Sequence, residues 1–203
     1  MQWLTTKSEH ITLDLSGTRI SYASPVNYSK DYPRAAETQY RINIHDQDLY
    51  KNHRTNAENL YVIRQSHWDY GRSLIWRSVV KGTLSMSVRL YRTSHEFDPK
   101  DHDAFIKTLQ ADFELIYNKK TRKDFKVILP EKYQMKTIAS GPWRCYEFSI
   151  GGSRIVAYAY PLSDRNYFKV EFDFIINSED QKDKWEQQAQ ATVDFIMASF
   201  EVK

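Results

Sequence analysis

The feature that most constrains the fold is a glycine pair between two alternating segments in the second half of the chain. The stretch reads "PWRCYEFSIGGSRIVAYAYPL", with the pair at Gly151 and Gly152. Glycine readily adopts the positive φ angles that a two-residue hairpin turn requires. The sequence therefore predicts two antiparallel strands in a single register. That register pairs Phe148 with Ile155, Tyr146 with Ala157, Cys145 with Tyr158 and Trp143 with Tyr160.

The next strand, "YFKVEFDFII", alternates an apolar side with a mixed one. The apolar side is predicted to face the core. We predict that the mixed side continues across the hairpin as one face, where tyrosine and tryptophan stand among charges as they do at protein interfaces. The candidate binding residues on this face are Trp143, Tyr158, Tyr160, Tyr167, Lys169 and Glu171. A helix lying over the face would instead make it interior, and the sequence leaves both interpretations open.

Two further hairpins are predicted in the first half of the chain. In "ITLDLSGTRISYA", a turn at Ser16 and Gly17 pairs Leu13 with Ile20 and Asp14 with Arg19, one apolar and one oppositely charged pair. Before the strand that begins at Leu84, we predict a three-residue loop ending in Gly82 as a bulge. That loop aligns Leu74 with Val88 and Trp76 with Met86.

Two long helices are predicted, at about 98–118 and 179–200. Asp98 is expected to cap the first, Pro99 suits its first position, and Phe105, Leu109, Phe113 and Ile116 form its apolar stripe. Ser178 and Gln181 form a capping box for the second. Its stripe is predicted to pack on the sheet and contains Trp185, Ala189, Val193, Ile196, Met197 and Phe200.

These elements predict an α+β fold, an antiparallel β-sheet with hairpins packed by two long helices. We expect residues 1–203 to form a single domain, because a chain of 203 residues buries about 70% of its unfolded surface. Apolar residues at 41% and charged residues at 27% are ordinary globular usage. The single cysteine, Cys145, excludes an intramolecular disulfide and is expected to be a packing residue.

The segment "SHEFDPKDHDAF" poses the main question of chemistry, because it holds His95, His102 and four acidic residues. Two histidines one helical turn apart, as in HExxH, are absent. Helix capping accounts for Asp98, Pro99 and Asp101 without a metal, so we predict no metal and no cofactor here. GxSxG, GxGxxG and phosphate-binding loop motifs are also absent from the sequence, and we therefore predict that the protein is not an enzyme.

The charge of the chain argues against a nucleic-acid partner, since 29 basic and 26 acidic groups leave a net charge of only +3. The basic run "NKKTRKDF" is expected to be a solvated helix end. No stretch approaches the roughly 18 consecutive apolar residues of a membrane span. As written, the chain is expected in the cytoplasm, or in the periplasm if a signal segment has been removed.

One resemblance rests on "FKVEFDFI" and on the final segment "TVDFIMASFEV". Together with the order of hairpins and helices, these segments resemble the PsbP-like and DcrB-like α/β/α fold. That family includes photosystem extrinsic subunits, a Ran-binding nuclear import adaptor and small bacterial envelope proteins. The resemblance implies an accessory or adaptor domain without catalysis, and it assigns no functional residue.

We therefore predict a non-enzymatic protein that binds a protein partner through its Tyr/Trp-rich face, such as a bacterial accessory, adaptor or immunity-type protein. Two alternatives stay open. A small metal-dependent hydrolase would use the acidic cluster around His95 and His102. A carrier of a small ligand would need Trp143, Tyr158 and Tyr160 to line a closed pocket. The oligomeric state is left open by the sequence.

Overall fold

The computed structural model describes residues 7–31, 37–51, 59–74, 77–117, 119–138, 141–177 and 182–203. Within these ranges the chain has an α+β fold, as predicted. The strands are β1 (Ser8–Leu15), β2 (Thr18–Pro25), β3 (Gln39–Ile42), β4 (Leu60–Leu74), β5 (Arg77–Arg92), β6 (Tyr133–Ile138), β7 (Gly141–Ile150), β8 (Ser153–Pro161), β9 (Asn166–Ile176) and β10 (Glu201–Val202). The helices are α1 (His102–Ile116), α2 (Lys119–Asp124) and α3 (Lys182–Ala198), with a single 3-10 turn at Asp48–Tyr50.

The strands form two sheets, whereas the sequence predicted one. The larger sheet is antiparallel throughout, in the order β4-β5-β9-β8-β7-β6. The smaller sheet has the order β10-β2-β1-β3, and β3 runs parallel to β1. Alternation in a sequence reveals strands and hairpins but not which distant edges join, so the second sheet was not predictable from pattern alone.

Two predicted hairpins are confirmed. At the β7–β8 turn, Gly151 has a φ of 60° and Gly152 a φ of 90°. The pairs Phe148–Ile155, Tyr146–Ala157 and Cys145–Tyr158 are as predicted, and so are Leu13–Ile20 and Asp14–Arg19 between β1 and β2. Local turn chemistry thus sets register where the turn is short.

The predicted loop ending in Gly82 is wrong. β4 and β5 pair along their whole length, up to Leu74 with Arg77. Positions 75 and 76, and with them the predicted pairing of Trp76, lie outside the described residues. Gly82 lies within β5 opposite Tyr70, and Lys81 is an extra residue in the ladder. A bulge is therefore present, but it does not end the strand.

Gly82 is explained by helix docking rather than by a turn. A Cβ atom at this position would lie 2.4 Å from ring atoms of Trp185, a distance that real Cβ contacts do not reach. The missing side chain lets α3 bring its Trp185 ring directly onto the β5 backbone. A glycine inside a strand pattern marks such a close approach as readily as a bend.

α1 begins three residues later than predicted. Asp101 is its N-cap, and the Asp101 carboxylate accepts hydrogen bonds from the backbone N–H groups of Asp103 and Ala104 at 2.9 and 3.1 Å. Asp98 instead accepts from the Lys100 N–H in the preceding turn, at 2.9 Å. Competing aspartates three residues apart cannot be ranked by propensity, because both suit the cap position.

The core lies in two layers, one on each face of the larger sheet. The first lies between that sheet, the smaller sheet and α3, whose predicted stripe from Trp185 to Phe200 is buried as expected. The second lies under α1 and contains Phe105, Leu109 and Phe113. The predicted fourth member of that stripe, Ile116, is instead 44% exposed. The residues predicted to cap the last helix, Ser178 and Gln181, lie outside the described residues.

Candidate functional site

The six predicted binding residues lie on two opposite faces of the larger sheet rather than on one. The β8–β9 ladder pairs Tyr158 with Val170 and Tyr160 with Phe168. Trp143, Tyr158 and Tyr160 therefore share the apolar side of β9, while Tyr167, Lys169 and Glu171 lie on the other side. The four residues between β8 and β9, at 162–165, set this register, and alternation within each strand does not reveal it.

Three of these residues, Trp143, Tyr158 and Tyr160, pack in the core layer between the two sheets. The Trp143 ring is fully buried, and its centroid lies 5.3 Å from that of Tyr160 and 5.2 Å from that of Phe200. Phe168 contacts it edge-on at 6.0 Å. These rings fill the space that a small-ligand pocket lined by Trp143 and Tyr160 would need.

Lys169 and Glu171 form a buried charged cluster with Arg89 beneath α1. Lys169 Nζ lies 2.7 Å from one carboxylate oxygen of Glu171, and Arg89 Nη1 lies 2.6 Å from the other. The Lys169 ammonium also lies 4.1 Å from the ring centroid of Tyr91. A carboxylate shared by two cations stays ionised in the interior, because each oxygen has a charged donor.

Electrostatics within the cluster follow from burial and pairing. Burial alone would raise the pKa of Glu171, but the Lys169 and Arg89 charges outweigh it and lower that pKa. Asp173, the next residue on this side of β9, forms no ion pair with the residues described, and the Arg89 charge lowers its pKa less than burial and Glu171 raise it. Burial and then the Glu171 charge raise the pKa of Asp173 to about 6. Its Oδ1 atom has no hydrogen-bond partner among the described residues.

α1 covers this cluster and is tied to it. The Tyr167 hydroxyl donates to the Asp112 carboxylate on α1 at 2.7 Å, and the Phe113 ring centroid lies 5.7 Å from Lys169 Nζ. Lys169 is 4% exposed and Tyr167 only 1%. These predicted binding residues thus anchor a helix to the sheet in this structure. They do not present a surface.

The predicted histidine cluster is dispersed. His95 is exposed in the segment before α1, and His102 is the first residue of the helix. The nearby carboxylates of Asp98 and Asp101 accept backbone N–H groups, as described above. In the described part of the chain, no three side chains of His, Cys, Asp or Glu converge as metal ligands would.

A different surface lies at the β6 edge of the larger sheet, where the pairing of the chain with β7 is interrupted. Ile128 and Ser149 exchange two backbone hydrogen bonds, of 3.0 and 3.1 Å, and regular pairing resumes only at Tyr133 with Tyr146. Pro130 lies between, and proline cannot donate to a ladder. Four residues on this side face two on β7, so the chain bows outward.

The bow leaves a groove of about 620 Å³ along β7, which we call the edge groove. Its floor includes Cys145, Val156 and Tyr158, and its rim includes Ile128, Lys132 and Lys136. Burial raises the pKa of the Cys145 thiol, so this cysteine is a packing group in the floor rather than an activated nucleophile. Within the groove, Arg154 Nη2 on β8 lies 2.9 Å from Glu147 Oε2 on β7, as an ion pair.

The outer edge of β6 is unpaired within the described part of the chain. Because Ser149 exchanges both bonds with Ile128, the alternation of an antiparallel ladder makes Gln134, Lys136 and Ile138 the β6 residues that bond to β7. The remaining residues direct their N–H and C=O groups away from the sheet. They are Tyr133, Met135 and Thr137, and no described backbone group hydrogen-bonds to them.

Exposed apolar side chains concentrate in the same stretch of chain. Within the described residues, every large apolar side chain that is highly exposed falls between positions 115 and 135. They are Leu115, Ile116, Phe125, Ile128 and Met135, and all but Ile116 are more than 60% exposed. Two of them adjoin the outer edge of β6, because Met135 lies on that strand and Ile128 lines the groove beside it. This surface was not predicted from the sequence, where its one signal is the interruption of the strand pattern at Pro130.

Comparisons with known proteins found similar solved structures but no match by sequence. No family model matches the sequence, and no curated protein matches it. The solution structure of cyanobacterial PsbP from Synechocystis sp. PCC 6803 is similar at a TM-score of 0.39 and 8% identity, over 77% of this chain and 99% of that chain. The crystal structure of LpqN, involved in cell envelope biogenesis of Mycobacterium tuberculosis, is similar at a TM-score of 0.42 and 10% identity. That similarity covers 98% of this chain and 92% of that chain.

The PsbP-like resemblance drawn from the sequence is thus found again among solved structures. At these TM-scores it carries no inference about function. No helix in the described ranges has the length and apolar character to cross a membrane.

Proposed function

We propose that this protein acts without catalysis, by binding another protein at the β6 edge and the adjoining edge groove. The observation that carries the proposal is the outer edge of β6. It offers backbone groups at Tyr133, Met135 and Thr137 that no described residue pairs, directly beside a groove and exposed apolar side chains. Soluble proteins normally cover or shield such an edge, because it templates pairing with another chain.

The apolar side chains supply a second reason. Met135 is 61% exposed on the edge strand itself, and Ile128 is 65% exposed at the rim of the groove. Burying two such side chains against a partner stabilises a complex by about 1.5–3 kcal/mol each. Backbone hydrogen bonds to β6 would fix the orientation and register of the bound strand. The groove would accept side chains of that strand. These are the parts that strand-adding recognition uses.

Site-specific photocrosslinking tests the proposal in the whole protein. A photoreactive phenylalanine analogue placed at Met135 is expected to crosslink a partner protein in cells of the source organism. The matched control carries the same analogue at Gln39, an exposed position on the edge strand β3 of the other sheet. The crosslink at position 135 should disappear in a Thr137→Pro variant, because proline removes an outward donor.

The proposal fails if position 135 yields no protein crosslink, or if positions 39 and 135 capture the same proteins to the same extent. A folded far-UV circular dichroism spectrum of the Thr137→Pro variant is needed for that comparison. Thr137 is exposed on an edge strand, where proline is tolerated best.

A further inference from the structure

Resting on the proposed function, we infer that the β6 edge binds an extended acidic segment of its partner. The partner strand would place carboxylates on the groove side of β6 and apolar side chains on the opposite side. The charges and the side-chain alternation along β6 both lead to this partner chemistry.

Cations outnumber carboxylates on the groove side. Lys132, Lys136 and Arg154 line the groove, against Glu131 and Glu147. Lys136 lies on β6 and Lys132 immediately before it, both exposed, and both line the groove. Neither forms an ion pair with any carboxylate that the structure describes. The other cation of the groove, Arg154, is already paired with Glu147. Glu131 also lines the groove and forms no ion pair among the described residues, so a partner's carboxylates would meet two cations against one carboxylate.

The same lysines discourage the wrong partners. Lysine on an edge strand opposes pairing with a neutral or basic strand, because the ammonium would lose water without gaining a counter-ion. A second copy of this edge would bring further lysines into the groove region. An acidic strand removes that penalty, so charge selects the partner while the backbone groups bind it.

The side chains of β6 alternate in a way that fixes the pattern of the bound segment. Gln134 and Lys136 project to the groove face, since they pair with Cys145 and Trp143. Met135 pairs with Arg144 and projects to the α1 face. A strand added beside β6 shares this two-residue period. Its acidic residues would therefore recur at every second position, with apolar residues between them.

A binding experiment with defined peptides tests the inference. The acidic probe is a short capped peptide in which glutamate and valine alternate, and the basic probe replaces each glutamate with lysine. The acidic probe is expected to slow hydrogen exchange of the Met135 and Thr137 amides and to bind at least about tenfold more tightly than the basic probe. The difference should shrink as sodium chloride rises from about 50 to about 500 mM.

Charge reversal supplies the matched variants. Lys132→Glu combined with Lys136→Glu should reverse the preference between the two probes. Lys100→Glu combined with Lys107→Glu changes the net charge equally at exposed positions on and before α1, and it should leave the preference unchanged. Three outcomes would overturn the inference. They are equal binding of both peptides by the wild type, an equal loss of the preference in both double variants, and protection by the acidic peptide of amides elsewhere than in β6.

The two proposals fail separately. If the crosslink at position 135 forms but the probes bind without regard to charge, the proposed function stands and the acidic partner is wrong. If no crosslink forms, the proposed function fails whatever the probes do.

Discussion

At the residue scale, the structure explains why five of the six residues predicted for a surface are buried and the sixth, Tyr160, is partly buried. Lys169 and Glu171 suggest exposure by their type, yet each has charged partners that make burial tolerable. Pairing between distant strands decides this, and Arg89 lies far from both in sequence. A single sequence therefore shows that β9 has a charged side, but it does not show what neutralises those charges.

Asp173 gives a prediction with a defined pH dependence. Its pKa is raised from an ordinary 3.8 to about 6 in the folded protein. The folded state thus binds the proton more tightly than the unfolded state, so stability is lost as pH rises from about 4 through 6. Asp173→Asn should increase the free energy of unfolding at pH 8 by roughly 1–3 kcal/mol and leave it nearly unchanged at pH 4.

Urea denaturation at the two pH values measures this effect. Asp164→Asn, at an exposed loop position, is the control and should show no gain. An Asp173→Asn variant that is no more stable than the wild type at pH 8 would show that the carboxylate is well solvated or paired.

At the element scale, short turns were predictable and helix docking was not. The glycine pairs and the alternation around them specify the β1–β2 and β7–β8 registers because the information is local. Gly82 has the same local appearance, but its reason lies on α3, roughly a hundred residues later in the chain. The β6 edge was missed for a related reason, since only the finished sheet shows which strand comes last.

Docking of α3 on β5 is testable at Gly82. Gly82→Ala should lower the free energy of unfolding by about 1–3 kcal/mol, because the added methyl group overlaps the Trp185 ring. Shortening the facing side chain in a Gly82→Ala, Trp185→Leu double variant should make the two effects non-additive, with the alanine costing less in the double variant. Chemical denaturation of the four proteins completes the cycle, and strictly additive effects would contradict the contact.

At the scale of the whole molecule, the two core layers cover both faces of the larger sheet and leave its edges for recognition. One face of the larger sheet is occupied by the smaller sheet and α3, and α1 lies on the other face. β6 is one of the two terminal strands of that sheet, and the highly exposed apolar side chains of the described residues lie on it or in the chain leading to it. The packing that buries the predicted Tyr/Trp-rich face thus leaves the β6 edge as the candidate binding site.

The most direct test is amide hydrogen exchange along β6 in the free protein at low concentration, measured by NMR. The Met135 and Thr137 amides should exchange nearly as fast as unstructured amides, while those of Gln134 and Lys136 should be protected by their bonds to β7. That alternation would establish an open, ordered strand edge that is ready to pair. Protection of Met135 and Thr137 in the free protein would contradict the account, because the edge would already be occupied.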